Sequence, residues 1–543
     1  MNHGKFSLPE PVNEPILSYR PGSPEKKELK ARLKELSQET IEIPLIIGGK
    51  EVHTGNVAQS VMPHDHQHVL ANYHKAGEKE IEMAIEASQD AWQTWSNMPW
   101  FERAAIFKKM ADLLAGPWRA TLNASTMLNQ SKNVYQAEID SACEMIDFWN
   151  FNVKYMEEIY EEQPYSPLGM WNRMEHRPLE GFIFAVTPFN FTSIAGNLPT
   201  SPAIMGNTVL WKPASSAVLS AYYTMKLFKE AGLPDGVINF IPGSGSQIGP
   251  RVLKDPKLAG IHFTGSTNTF QNMWKTVGEN IHNYNSYPRI VGETGGKDFV
   301  FVHKSAKVDP VVTALIRAAF EYQGQKCSAA SRAYIPKSLW PEIKSEMLDE
   351  IKTIKMGDVT NFTNFMNAVI DQSAFDNIMS YIDYAKESDE AEILIGGEGD
   401  DSKGYFIEPT VVLTSNPHFK TMEEEIFGPV LTVYVYEDKD FEKTLEICDN
   451  TSPYGLTGAV FSQDRKALSI ATSKLEHAAG NFYQNDKPTA AVVSQQPFGG
   501  GRASGTNDKA GSKLNLLRWV SPRSIKESFN PPTDYRYPFM EKK

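Results

Sequence analysis

The chain has 543 residues, 41% of them hydrophobic and 22% charged, with a formal net charge of −12. This is the profile of a soluble globular protein of roughly three or four domain-sized units. The acidic balance excludes nucleic-acid backbone binding as its main task, and no run reaches the roughly 18 apolar residues of a membrane span.

The opening stretch, "MNHGKFSLPEPVNEPILSYRPGSPEKKELK", has no apolar core of a signal peptide and carries acids that an organellar presequence avoids. An intracellular protein is expected. Residues 1–40 read as a Pro-rich arm leading into an exposed, charged helix, and no chemistry is placed there. Short alternating strands follow in "IIGGKEV" and "AQSVMPHDHQHVLANYHKA", then helices in "EKEIEMAIEASQDAWQTW" and "FERAAIFKKMADLLAG", where apolar residues recur at three and four. His64, His66 and His68 in "HDHQH" fall on one strand face, but nothing nearby completes a metal shell, and a solvated hairpin face is the expectation. No metal is expected elsewhere. "PYSPLGMWNRMEHRPLEG", residues 164–181, reads as a projecting hairpin.

From residue 181 the apolar segments "GFIFAVTP", "NTVLWKP", "GVINFIPG" and "LAGIHFTG" alternate with helical or turn spacers. The clearest spacer has capping serines at its start and stops at Gly232 and Pro234. Alternation of this kind predicts an α/β fold with a doubly wound parallel sheet, whose ligands bind at the carboxyl ends of the strands. Those ends carry Lys212, "PGSGSQIG" and "FTGS". Gly243, Gly245 and Gly249 are spaced GxGxxxG, which departs from the dinucleotide fingerprint and also suits a plain turn. Thr264, Gly265 and Ser266 add amides and hydroxyls suited to a phosphate. A second α/β series starts near residue 299 with "DFVFVHKSA" and runs through "AYIP", "EAEILIGGE", "YFIEPTVVL", "LTVYVYE" and "GLTGAVFS" to "AGNFYQN"; a Pro- and aromatic-rich tail closes the chain and is expected to dock on another surface.

The three cysteines are widely spaced with no CxxC, which offers neither a disulfide framework nor a zinc site and fits a reducing compartment. Cys143 and Cys448 sit among apolar neighbours and read as packing residues. Cys327 is different: "EYQGQKCSAASR" surrounds it with polar residues and a lysine, which favours thiolate over thiol. No histidine is close in sequence, so the best-placed base is Glu293 in "GETGGK", beside glycines where the two series join.

In order along roughly residues 40–520, "TPFNF", "KPA", "FTGS", "ETGGK", "GQKCS", "EEIFGPV" and "FGGGRASG" resemble the aldehyde dehydrogenase superfamily. "QAEIDSACEMIDFWNFN", "NFYQNDKPT" and "QQPFGGGRASGTNDKAG" resemble its branch that oxidises L-glutamate γ-semialdehyde in proline breakdown. The resemblance implies an NAD-binding domain over 41–163 and 182–298 and a catalytic domain over 299–505. A small oligomerisation module over 164–181 and 506–543 completes the aldehyde dehydrogenase fold. It gives Cys327 the role of nucleophile, Glu293 that of the base for deacylation, and the side-chain amide of Asn190 that of oxyanion donor. Val186, Thr187, Lys212, Gly245, Thr264, Gly265 and Ser266 match positions lining the adenosine and pyrophosphate. Glu425 matches a ligand of the nicotinamide ribose, and Phe427 its neighbour. Ser215 stands where many NAD-specific relatives carry Glu, so NAD is the expected cofactor with some NADP use left open. Ser328, Ala490 and Ala491 match the substrate's carboxylate site, Phe191 and Phe498 its aliphatic stem, and Glu144 a carboxylate near the pocket. The implied partners are an amino-acid aldehyde, further copies of the chain, and transiently a proline dehydrogenase. The implied location is cytoplasmic, or the mitochondrial matrix in a eukaryote.

Overall fold

The computed structural model describes residues 4–542. Two seven-stranded sheets organise it. In the first, Arg289–Glu293, Leu258–Thr264, Phe182–Val186, Thr208–Lys212 and Ile238–Phe240 lie side by side and parallel, and Leu45–Ile47 and Lys50–Val52 extend the edge antiparallel. The apolar runs seen in the sequence are nearly continuous because helices cover both faces. Successive side chains of Phe182–Val186 alternate between them. Ile183 and Ala185 enter one core with Val218 and Leu227, while Phe182 and Phe184 enter another with Ile81 and Phe270.

The second sheet repeats the pattern, with Asp298–Val302 lying between and parallel to Ala330–Pro336 and Thr457–Phe461. Phe299 and Phe301 face one core and Val300 and Val302 another. Of its seven strands only Ala391–Ile395, at the edge, runs antiparallel. The chain passes from the first sheet to the second between Glu293 and Asp298, so "TGGK" is the crossing itself. Among the five parallel strands of the first sheet, chain order runs outward in both directions from Phe182–Val186, which opens a crevice at the carboxyl ends beside that strand.

Three expectations need correcting. The helix Pro24–Gln38, capped by Ser23, is not simply exposed: Leu29, Leu33 and Leu36 are buried, on one stripe at helical spacing. Residues 164–181 do not form a hairpin of their own. Their strand Met170–Pro178 pairs antiparallel with Val520–Ser528, so the projecting ribbon joins segments distant in sequence, and Tyr165, Leu168, Trp171 and Phe529 stand exposed on or beside it. The histidines of "HDHQH" do not share a solvated face. His64 lies buried in the turn before the strand, near the Ser131 hydroxyl, whereas His66 meets the carbonyl of Asp401 at 2.8 Å and stacks on Tyr405.

A different trio, Glu42, His53 and His74, does converge within ligand distance. His74 Nδ1 accepts backbone N–H bonds from Thr54 and Gly55 at 3.1 Å. Its proton therefore sits on Nε2, which donates to Glu42 at 2.6 Å and has no lone pair left for a metal. No helix among the described residues is long and apolar enough to cross a membrane.

Candidate active site

Cys327 sits at the end of a loop whose shape is locked from outside. Tyr322, Gln323 and Gly324 all have positive φ, 52°, 55° and 68°, a costly run for the two non-glycine residues. Buried side-chain bonds hold it. Gln323 Nε2 donates to the carbonyls of Ser131 and Ala368, its Oε1 accepts from Asn367 N–H, and Gln325 Oε1 accepts from Ile370 N–H. The polar approach to the cysteine is thus a mechanical clamp. Lys326, expected to favour the thiolate, pairs instead with Glu321 at 3.1 Å. Burial, followed by the charges of Glu293, Asp298 and Glu425, pushes the Cys327 thiol well above its usual range. The group is held protonated, so attack on a substrate needs an acceptor for that proton.

Glu293 ends the strand Arg289–Glu293, whose short "RIVGE" carries little strand signal. The carboxyl group lines the same cavity as Cys327, a space of about 660 Å³. Burial pushes it up to about 7, with Lys509 pulling the other way. Its Oε1 has no hydrogen-bond partner within the protein, which leaves it free to orient a water molecule.

The crossing glycines let the parts converge. A Cβ on Gly296 would lie 2.2 Å from the Cys327 carbonyl oxygen, and one on Gly295 would lie 2.2 Å from Glu425 Oε2. Glu425 accepts the Gly296 N–H at 3.0 Å and is itself pushed up to about 7 by burial. Phe427, at a positive φ of 60°, packs edge-on against Phe189. Asn190 Nδ2 donates to the Gln325 carbonyl at 3.1 Å, which fixes the amide beside the cysteine loop and leaves its second N–H for a ligand.

The remaining residues divide between two spaces. Glu144, Phe191, Ser328, Ala490, Ala491 and Phe498 line the cavity with Cys327 and Glu293, and Thr264 reaches its edge. Glu144 ends an irregular π-helical turn, Glu138–Glu144, and burial and then Asp140 raise it to about 8. Val186 and Lys212 end neighbouring parallel strands, and Thr187 follows Val186. Ser215 opens a short 3₁₀ turn, and Gly245 starts the helix Gly245–Val252. That helix has no side-chain cap, and a Cβ on Gly245 would meet nothing within 4 Å. The crevice therefore offers unclaimed amides and an open cradle, as an anionic ligand requires. Lys212 adds an amine that burial lowers to about 8. Ser266 and Glu425 line a further pocket beside it.

Reading the sequence missed the N-terminal arm, assigned no chemistry, whose Asn13, Glu14 and Ile16 line the cavity. It also missed Cys143, which lies in the cavity wall 3.5 Å from the Arg119 guanidinium. A Pro-rich segment with no periodicity carries no signal for such a position.

Two parallel α/β sheets, a buried cysteine and glutamate in one cavity, and a strand-end crevice beside them define an aldehyde-oxidising architecture. The chain belongs to the aldehyde dehydrogenase family, whose sequence pattern matches residues 51–525. A mitochondrial Δ1-pyrroline-5-carboxylate dehydrogenase of Dictyostelium discoideum is 54% identical over 544 residues, covering 99% of this chain and 98% of the relative. The mitochondrial human protein of that name is 49% identical over 531 residues, covering 98% and 94%. The crystal structure of the Mycobacterium tuberculosis Δ-pyrroline-5-carboxylate dehydrogenase bound with NAD matches at a TM-score of 0.96 and 52% identity, covering 99% of this chain and all of that one.

Proposed function

We propose that the protein oxidises L-glutamate γ-semialdehyde, the open form of Δ1-pyrroline-5-carboxylate, to L-glutamate with NAD, as the second step of proline degradation. The observation that carries this reading is the shared cavity, lined by Cys327 and Glu293 together with Ser328, Ala490 and Ala491. Relatives of about half identity bear the corresponding enzyme name. NAD, when bound along Val186, Thr187, Lys212, Ser215, Gly245, Thr264, Gly265, Ser266, Glu425 and Phe427, supplies the hydride acceptor.

The chain's own residues do the rest. Cys327 Sγ bonds to the aldehyde carbon as its proton passes to water in the cavity. The carbonyl electrons move onto oxygen, where the Asn190 amide and the Cys327 N–H hold the charge. After oxidation the carbon remains on sulfur as a thioester. Glu293 then takes a proton from water as it attacks, the C–S bond breaks, and glutamate leaves with the thiol restored. Ser328 and backbone amides near Ala490 and Ala491 take the substrate carboxylate, and Phe191 and Phe498 flank its stem. Growth of NADH absorbance on adding pyrroline-5-carboxylate tests the reading. Its absence, with propanal oxidised instead, would leave only a general aldehyde dehydrogenase.

Asn190→Ala is expected to lower turnover by about 10²–10³, the cost of one oxyanion donor; stopped-flow kinetics showing a loss of only a few-fold would move Asn190 to a purely structural place. Ser328→Ala is expected to cut kcat/KM for pyrroline-5-carboxylate about ten- to a hundredfold, since one hydrogen bond to a charged group is worth roughly 1.5–3 kcal/mol. Propanal has no carboxylate to lose, so its oxidation stays nearly unchanged, and equal damage to both aldehydes would refute the assignment.

The exposed aromatic ribbon is the surface we assign to contact between copies of the chain. Transient contact with a proline dehydrogenase, and a place in the mitochondrial matrix or the cytoplasm, belong to the same reading.

A further inference from the structure

The mouth of the cavity is built partly from a segment the chemistry above does not use. Asn13, Glu14 and Ile16 line it together with the loop that carries Ala490 and Ala491. This arm has no secondary structure of its own, yet its backbone is held at intervals by three buried carboxylates on one helical stretch. The N–H of Leu8 donates to Glu157 Oε1 at 2.9 Å, that of Glu14 to Asp147 Oδ1 at 2.7 Å, and that of Leu17 to Glu138 Oε1 at 2.8 Å. Bonds to a carboxylate are roughly twice as strong as neutral ones. Arg119 adds ion pairs to both Glu14 and Glu138, and the Tyr19 hydroxyl donates to Glu138 at 2.7 Å. So many charged partners for a coil segment mark a built seat.

Asn13 is the point where this seat meets the substrate loop. Its Nδ2 donates to Asp147 Oδ2 at 2.8 Å and to the Val493 carbonyl at 3.0 Å, and its Oδ1 accepts from Gln495 Nε2 at 2.9 Å. One side chain thus ties the loop to the helix Met145–Glu161 in both hydrogen-bonding directions. Below it Val493 is buried with Phe148 and Phe151. Ala490 and Ala491 lie only three and two residues before Val493, so the hold on Val493 sets where their amides point.

We infer that Asn13 is a positioning residue for the amino-acid end of the substrate, so that the N-terminal arm takes part in choosing the aldehyde. It acts through the loop and not on the reacting atoms. The inference rests on the function proposed above for its substrate. The test compares wild type, Asn13→Ala and Asn13→Asp, the last keeping the acceptor for Gln495 while losing both donors and placing a second carboxylate against Asp147. Steady-state kinetics are expected to show KM for pyrroline-5-carboxylate raised about tenfold in Asn13→Ala, and at least as far in Asn13→Asp. Changes in kcat, and in all constants for propanal, stay within about twofold. Hydrogen exchange without substrate is expected to speed up in the peptide 487–499 and stay unchanged in 298–302. Unaltered exchange at 487–499, an unaltered KM, or equal damage with both aldehydes overturns the inference. A wild type inactive on pyrroline-5-carboxylate would sink the substrate reading instead, and the exchange at 487–499 then decides the role of the arm by itself.

Discussion

Cys327→Ala is expected to abolish aldehyde oxidation, by roughly 10⁴–10⁶ in turnover on the scale seen when a covalent nucleophile is removed, while NAD affinity changes less than about twofold. The two quantities separate because the thiol and the dinucleotide crevice are built on different elements. Cys327 hangs on the loop before the strand Ala330–Pro336 of the second sheet, whereas Val186, Lys212 and Thr264 end strands of the first. The substitution also removes a group whose ionisation burial opposes, and it leaves the clamp of Gln323 and Gln325 untouched, so the loop keeps its shape. Calorimetric titration of NAD alongside the activity assay checks both halves. Turnover near wild type would dismiss the covalent mechanism, and lost NAD binding would mean that the loop shapes the crevice as well.

The parts of this molecule legible in the sequence are those whose physics is local. Apolar runs such as "FIFAV" and "FVFVH" announce strands covered on both faces, and the helix Val218–Ala231 ends at Gly232, whose φ of 92° is the stop the sequence marked. Motif order carried the family and pointed to Cys327 and Glu293, which the fold brings to one cavity. What stayed hidden depends on partners far along the chain. The ribbon partner of Met170–Pro178 lies about 350 residues away in Val520–Ser528, and nothing in either strand names the other. Lys326 beside Cys327 reads as an electrostatic aid until Glu321 takes its charge. The arm is silent for the same reason: Asn13 matters through Asp147 and Val493, separated from it by 134 and 480 positions.

Glu293→Gln is expected to divide the reaction in two. The glutamine is nearly isosteric and lies on the same strand end, where the backbone pairs with Gly505, so the fold should tolerate it. Its amide cannot take a proton from water, and general-base assistance is worth roughly 10²–10⁴, so hydrolysis of the thioester becomes the slow step. Mixing enzyme with NAD and pyrroline-5-carboxylate should give a burst of NADH approaching one per active site and then a stall, with the acyl group found on Cys327 by intact mass. The wild type adds a pH signature. Because burial raises Glu293 to about 7, its carboxylate is mostly protonated near pH 6 and mostly ionised near pH 8. The base form is the useful one, so kcat should climb with pH across that interval and level off above it; in Glu293→Gln the step disappears. Lys509, whose charge pulls Glu293 down, offers a second handle: its replacement by Met should move the midpoint of the wild-type profile upward. A Glu293→Gln time course without a burst would place the residue before acylation, as acceptor of the thiol proton alone, and a pH step surviving the substitution would assign that titration to Glu144 or another group in the cavity.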